Sequence, residues 1–281
     1  LLEREPESLF ESLGRSFEMR VHSLGIALAF AITLIFSSSS IAQSTPPSKP
    51  ATPGTTDQSH DLSGVWFNDH PRPLTTNERY WIYKFNLEEP PMTAWGKAQY
   101  DATKSSFGTR EYPLAETNDP LYHTCTPPGL PRVYLHPFPI QIVQIPGEVL
   151  ILFEYDSMRH QIFTDGRLHD TTLGPLWMGD SIGHWEGDTL VADTVNFNDK
   201  TWLDRIGHPH SEALHVIERI RRPDHDHLVD DITIDDPKAY TKPWTARMEF
   251  LLKPKWTLAE QFCEDEESFQ SLDKNAAAPA K

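Results

Sequence analysis

The sequence predicts an all-β protein, an antiparallel up-and-down β-barrel of about 8–10 strands, on three observations. Apolar and polar residues alternate over most of residues 61–265, the period of a strand with one buried face. Turn signals at Pro146-Gly147-Glu148, Glu186-Gly187-Asp188, Pro223-Asp224 and Lys253-Pro254-Lys255 break that alternation at short intervals. A lead strand followed by four hairpins makes a meander, and one that long closes on itself to remove its edges.

The elements follow in order. Leu62 to Phe67 is the lead strand. Pro139 to Gln144 and Val149 to Tyr155 form the first hairpin, which His160 to Thr164 extends to the turn Asp165-Gly166. Ser181 to Trp185 pairs with Thr189 to Phe197, Glu212 to Arg221 with Leu228 to Ile234, and Thr245 to Leu252 with Trp256 to Cys263. Trp185, Trp244 and Trp256 are expected in the core. Residues 70–135 form a Pro-rich insertion carrying a short helix over Pro91 to Tyr100. Thr93 is its cap, and Trp95, Ala98 and Gln99 fall at helical spacing. Cys125 to Arg132 is expected to be irregular, because its three prolines lack amide donors. The insertion is either a flap across the barrel or, preferred here, packing on its outside.

Met19 to Ala42 has the parts of a secretory signal peptide: Arg20 and His22, the apolar run Leu24 to Phe36, and small residues before a cut after Ala42. That run falls short of the roughly 20 residues needed to span a bilayer. Residues 1–18 are acidic and begin with Leu, and are read as an upstream mis-start with Met19 the initiator. Residues 43–60 and 266–281 read as a disordered leader and tail. The expected location is periplasmic or extracellular, with no membrane span after cleavage.

The whole chain carries a formal charge of −16, and the part after Ala42 keeps 36 acidic and 22 basic residues, or −14. Such a surface repels phosphate backbones and anionic lipids, so nucleic acid and membrane surfaces are not expected partners. A small molecule is. Oligomeric state is left open. The two cysteines, Cys125 and Cys263, both lie in the exported part, where an oxidising compartment favours a disulfide.

The densest run of reactive side chains lies between Asn198 and Glu218. His210 and Glu212 are the candidate acid–base pair, supported by His215 and Asp204. A carboxylate beside an imidazole raises its pKa and fixes its tautomer. On an extended strand His208, His210 and Glu212 share one face, which permits a 2-His-1-carboxylate site for a divalent metal. Otherwise no cofactor is expected. The plainer alternative is a hydrogen-bonded network tying a loop to the barrel rim. Tyr155, Arg159, His160, Lys200 and Trp202 are candidate ligand-binding residues, Arg159 for an anionic or carbonyl-bearing ligand. His225 and His227 are expected in solvent, and Asp235-Asp236-Pro237 in a turn. Phosphate-loop, dinucleotide, Gly-x-Ser-x-Gly and His-Glu-x-x-His motifs are absent from the sequence.

The strings CTPPGLPR, WMGDSIGHWEGDTLVADTVNFNDKTWLD, GHPHSEALHVIER and DDPKAYTKPW resemble those of a large family of uncharacterised exported bacterial proteins. That family has a lipocalin-like barrel pattern, and the Gly64-Val65-Trp66 tripeptide resembles the mark such barrels carry on their first strand. The likeness covers about residues 60–265 and implies fold and export, with no activity attached. Three functions are open from the residues. One is a lyase, isomerase or hydrolase acting by His/Glu/Asp acid–base chemistry at the barrel mouth. Another is a non-catalytic binding protein for an apolar or aromatic ligand. The third is an envelope interaction protein whose acidic surface meets a partner.

Overall fold

The computed structural model describes residues 60–68, 83–86, 88–108, 110–170 and 172–263. The export segment, the leader before residue 60 and the tail from residue 266 lie outside the described residues.

Nine strands form a closed barrel in chain order. They are β1 (Gly64–Phe67), β2 (Ile140–Ile145), β3 (Glu148–Phe153), β4 (Arg159–Phe163), β5 (Asp180–Glu186), β6 (Thr189–Val195), β7 (His215–Arg221), β8 (His227–Asp235) and β9 (Trp244–Leu252). The hairpins β2–β3, β5–β6, β7–β8 and the extension β3–β4 match the alternation in the sequence. Gly147 and Gly187 sit at φ +81 and +57, left-handed turn positions where a side chain would be strained.

Two expectations about the strands are corrected. No strand forms over Trp256 to Cys263; β9 instead pairs with β1 through Trp66 and Phe67 and closes the ring. Trp256 is accordingly about half exposed rather than in the core, whereas Trp185 and Trp244 pack against the core. The barrel is also not wholly antiparallel, because β4 and β5 run parallel. A closed ring with an odd number of strands cannot alternate direction throughout, so nine strands require a parallel neighbour pair. It falls where residues 164–179 supply a connection long enough to return the chain to the starting end. This seam is short, with only Ile162 opposite Ser181 and Phe163 opposite Ile182, while β8 and β9 match eight residue pairs. Gly183 lets the seam close: a Cβ there would come within 2.7 Å of Ile162.

The insertion holds the expected helix, α1 (Ala94–Ala102), whose first turn is capped by the Thr93 hydroxyl accepting from the Gly96 amide. A second helix, α2 (Pro120–Thr124), is capped by Asp119. The segment that follows is not outer packing. Arg132–Leu135 forms a buried 3-10 turn, and the Tyr134 ring meets Phe153 at 5.1 Å and Phe250 at 6.0 Å within the barrel core. Arg132 carries its charge inward because Asp119 meets it with two hydrogen bonds of 2.9 and 2.6 Å. The Cys125–Cys263 disulfide joins the insertion to the segment after β9. That segment is held further by the Cys263 amide donating to Asp156 and the Ala259 amide donating to Glu154.

Candidate functional site

Alternation along five neighbouring strands turns a set of polar side chains into the barrel: His160 on β4, Ser181 on β5, Thr194 on β6, Glu218 on β7 and Asp230 on β8. All are almost fully buried. Glu218 interrupts an apolar inward row between Val216 and Ile220, and Asp230 another between Leu228 and Ile232. The insertion adds Tyr134 from above.

These groups form one line. The Ser181 hydroxyl lies 2.9 Å from His160 Nε2 and 2.9 Å from the Thr194 hydroxyl. His160 Nδ1 faces Glu218 Oε2 at 3.6 Å, and Glu218 Oε1 accepts a 2.8 Å bond from the Tyr134 hydroxyl. Burial depresses the His160 pKa against the opposing pull of Glu218, which favours a neutral ring. With its proton on Nδ1 toward Glu218, Nε2 is free to accept from Ser181. Burial first, and then Glu218 beside it, push Asp230 well above the ordinary carboxyl range. Its site therefore favours a neutral acid beside Glu218. His160 Nδ1, Glu218 Oε2 and both Asp230 carboxyl oxygens are buried without a hydrogen-bond partner. Unsatisfied polar atoms gathered at one place in a core are costly and make that place a candidate site.

Ser181 also lines a groove of about 640 Å³ on the outside of the β4–β5 seam. Arg159, Phe163, Trp177 and Met178 line it too, with Asp170 and Asp180 at one side. Of the polar line, only Ser181 borders this groove, and it is 2% exposed.

The loop between β6 and β7, which holds most of the candidates from the sequence, is organised differently. Asp204 and His208 meet at 2.5 Å, and His208 Nε2 reaches Glu89 of the insertion at 2.8 Å. The other Asp204 oxygen accepts the amides of Ile206, Gly207 and His208, and Tyr100 stacks on the His208 ring at 4.5 Å. Burial opposes protonation of His208, but Asp204 and Glu89 outweigh it and raise the pKa to about 9. The hydrogen bond from His208 lowers Glu89 to about 2. An imidazolium held between two carboxylates is a clamp that ties the insertion to the loop.

His210 does not meet Glu212. Its Nε2 bonds the Thr201 hydroxyl at 2.7 Å and burial lowers its pKa, while Glu212 is exposed. His208, His210 and Glu212 therefore do not converge. Among the described residues no group of three or more His, Cys, Asp or Glu side chains is placed to hold a metal ion. Asp236 pins the loop from below, accepting from the Ser211 amide and hydroxyl, and Tyr240 donates to the Pro209 carbonyl.

The remaining candidates scatter. His215 faces outward and bonds Asp193 at 2.8 Å. His169 bridges the same Asp193 and Asp180 at 3.3 and 2.9 Å. Arg159 and His160 are consecutive on β4 and point to opposite faces, groove and interior. Tyr155 is buried and stacks on His136 at 4.0 Å. Lys200 is exposed, its ammonium 5.8 Å from the Trp177 ring, and Trp202 is buried beneath the Arg132 guanidinium. His225 and His227 are exposed, as expected.

Ser181, Thr194, Tyr134 and Asp230 were not singled out from the sequence. The readable signal was an ionisable residue on an inward strand position, since Asp and Glu almost never go inside unpaired. No family model matches the chain, and no curated protein and no solved structure matches it. The closed nine-stranded barrel is what the chain shows, with no family assigned.

Proposed function

We propose that the protein is an exported enzyme that hydrolyses a small carbonyl-bearing molecule, with Ser181 as nucleophile and His160 as general base. The observation that carries this reading is the buried 2.9 Å contact between the Ser181 hydroxyl and His160 Nε2, with Glu218 behind the ring and Ser181 bordering the groove. Nucleophile, base and orienting acid in line are recognised by geometry and role, not by sequence motif.

In this reading Ser181 Oγ attacks the substrate carbonyl carbon as its proton passes to His160 Nε2, and the carbonyl electron pair moves to the oxygen. The imidazolium is stabilised by Glu218, whose other oxygen is fixed by Tyr134. The tetrahedral intermediate collapses as His160 returns the proton to the leaving group. A water then repeats the sequence on the acyl group. The 3.6 Å separation between His160 and Glu218 closes when the ring becomes charged, as catalytic hydrogen bonds tighten in the reacting complex.

Hydrolysis of a panel of p-nitrophenyl esters tests the reading. Ser181→Ala is expected to lower kcat/KM by on the order of 10³ or more. A folded Ser181→Ala protein with wild-type turnover contradicts it.

The second reading is a non-catalytic, lipocalin-like binding protein, favoured by the 2% exposure of Ser181. Its ligand would occupy the groove, because Trp66, Tyr134, Phe153 and Phe250 fill the barrel. Saturable ligand binding with no ester turnover at any pH supports it instead.

A further inference from the structure

A second gathering of unsatisfied polar atoms surrounds the buried 3-10 turn. Arg205 is 8% exposed. Its guanidinium lies 4.8 Å from the Tyr83 ring and 4.3 Å from the Phe107 ring. It donates a long 3.4 Å bond to the Leu135 carbonyl, faces the Tyr122 hydroxyl, and has no carboxylate partner among the described residues. Arg132, 1% exposed, spends its two terminal nitrogens on Asp119. His136, 5% exposed, stacks on Tyr155. Arg205 Nε, Arg132 Nε and His136 Nε2 are all buried and without a hydrogen-bond partner.

Among the described residues, two guanidiniums against one carboxylate leave a single buried positive charge. An uncompensated buried charge is among the most costly arrangements in a protein interior. The surroundings register it: burial and both guanidiniums hold His136 well below its ordinary pKa. Orphaned nitrogens and an excess cation between aromatic rings call for an acceptor of one negative charge. Planar guanidinium matches planar carboxylate through paired N–H donors.

We propose that Arg205, Arg132 and His136 form a binding site for a small monoanionic carboxylate, with Tyr155, Tyr83 and Phe107 packing its flat apolar body. This site goes beyond the Ser181 reading and does not depend on it.

Calorimetric titration of the disulfide-intact chain with benzoate and with its neutral isostere benzamide tests the proposal. Benzoate is expected to bind saturably, at least about tenfold more tightly than benzamide. Arg205→Met is expected to cost benzoate at least about tenfold in affinity while leaving benzamide unchanged. Equal affinities for the two ligands overturn the proposal, as does an Arg205→Met protein that binds benzoate like the wild type. Inorganic phosphate displacing benzoate at lower concentration than acetate overturns the carboxylate assignment. In the wild type, which needs no variant to fold, bound benzoate is expected to raise the His136 pKa observed by NMR. A His136 titration unmoved by saturating benzoate places the anion elsewhere and overturns the site.

Discussion

The Ser181 hydroxyl sits 2.9 Å from His160 Nε2 across the one parallel pair of strands in the barrel. That pair exists because nine strands cannot alternate around a closed ring. Its shortness leaves Ser181 both beside a groove and in contact with the buried imidazole. Strand parity, seam and site are thus linked.

The His160 ring is held neutral below the ordinary imidazole pKa of 6.5, chiefly by burial. The neutral form is the base, so activity rises as pH rises through the depressed value. The pH profile of kcat/KM is expected to have an acidic limb with its midpoint below 6.5. A midpoint above that value removes His160 from the role.

Asp230 is raised well above the ordinary carboxyl pKa of 3.8 by burial and by Glu218. As pH climbs above that value, the unfolded chain releases this proton while the folded one keeps it, so Asp230 increasingly opposes folding. Asp230→Asn is therefore expected to be more stable than wild type at neutral pH, with the advantage shrinking toward pH 4. Urea denaturation at several pH values measures it, and a variant less stable at pH 7 contradicts it.

The His208 clamp behaves in the opposite sense. His208 is raised from 6.5 to about 9, so its contribution is complete below 6.5 and is lost as pH rises through 9. Glu89 is lowered from 4.5 to about 2, so its share is complete above 4.5 and is lost as pH falls toward 2. The clamp therefore acts in full between about pH 4.5 and 6.5. His208→Gln leaves Asp204 buried without its cation and is expected to cost about 3–5 kcal/mol. The loss is expected to be greatest in that window and to diminish above pH 9. A cost that does not change with pH contradicts the clamp.

The disulfide spans a sequence separation of 138. On the chain-entropy account, closing so long a loop stabilises the fold by about 5 kcal/mol. Replacing both cysteines by serine should lower the denaturation midpoint accordingly. An unchanged midpoint shows that the segment from 253 to 263 is held by its contacts with Asp156 and Glu154 instead.

Much of the barrel was legible because period-2 alternation and glycine turns are local signals. The missing last strand was not, since Trp256 to Cys263 has a strand-like composition but β1 already takes the edge it would pair with. The parallel seam was hidden for a similar reason: direction follows from closure of the whole ring, not from any window of residues. Among site residues, the sequence drew attention to the density of charges between Asn198 and Glu218, yet density measures neighbours along the chain. His208, paired with Asp204, is spent on Glu89, more than a hundred residues earlier. His160, Ser181 and Glu218 come together only because their strands are neighbours or share the interior. Inward position on a strand is the better guide: it sets Glu218 apart within the charge-dense run and would add Asp230, which lies outside that run.

The central claim is that Ser181 is a nucleophile activated by His160. Incubation with a fluorophosphonate reagent, followed by peptide mass spectrometry, tests it most directly. One phosphonyl adduct on Ser181 is expected in the wild type and none in His160→Gln, both proteins being folded by circular dichroism. A folded wild-type protein whose Ser181 stays unmodified, or an adduct that forms equally without His160, contradicts the account.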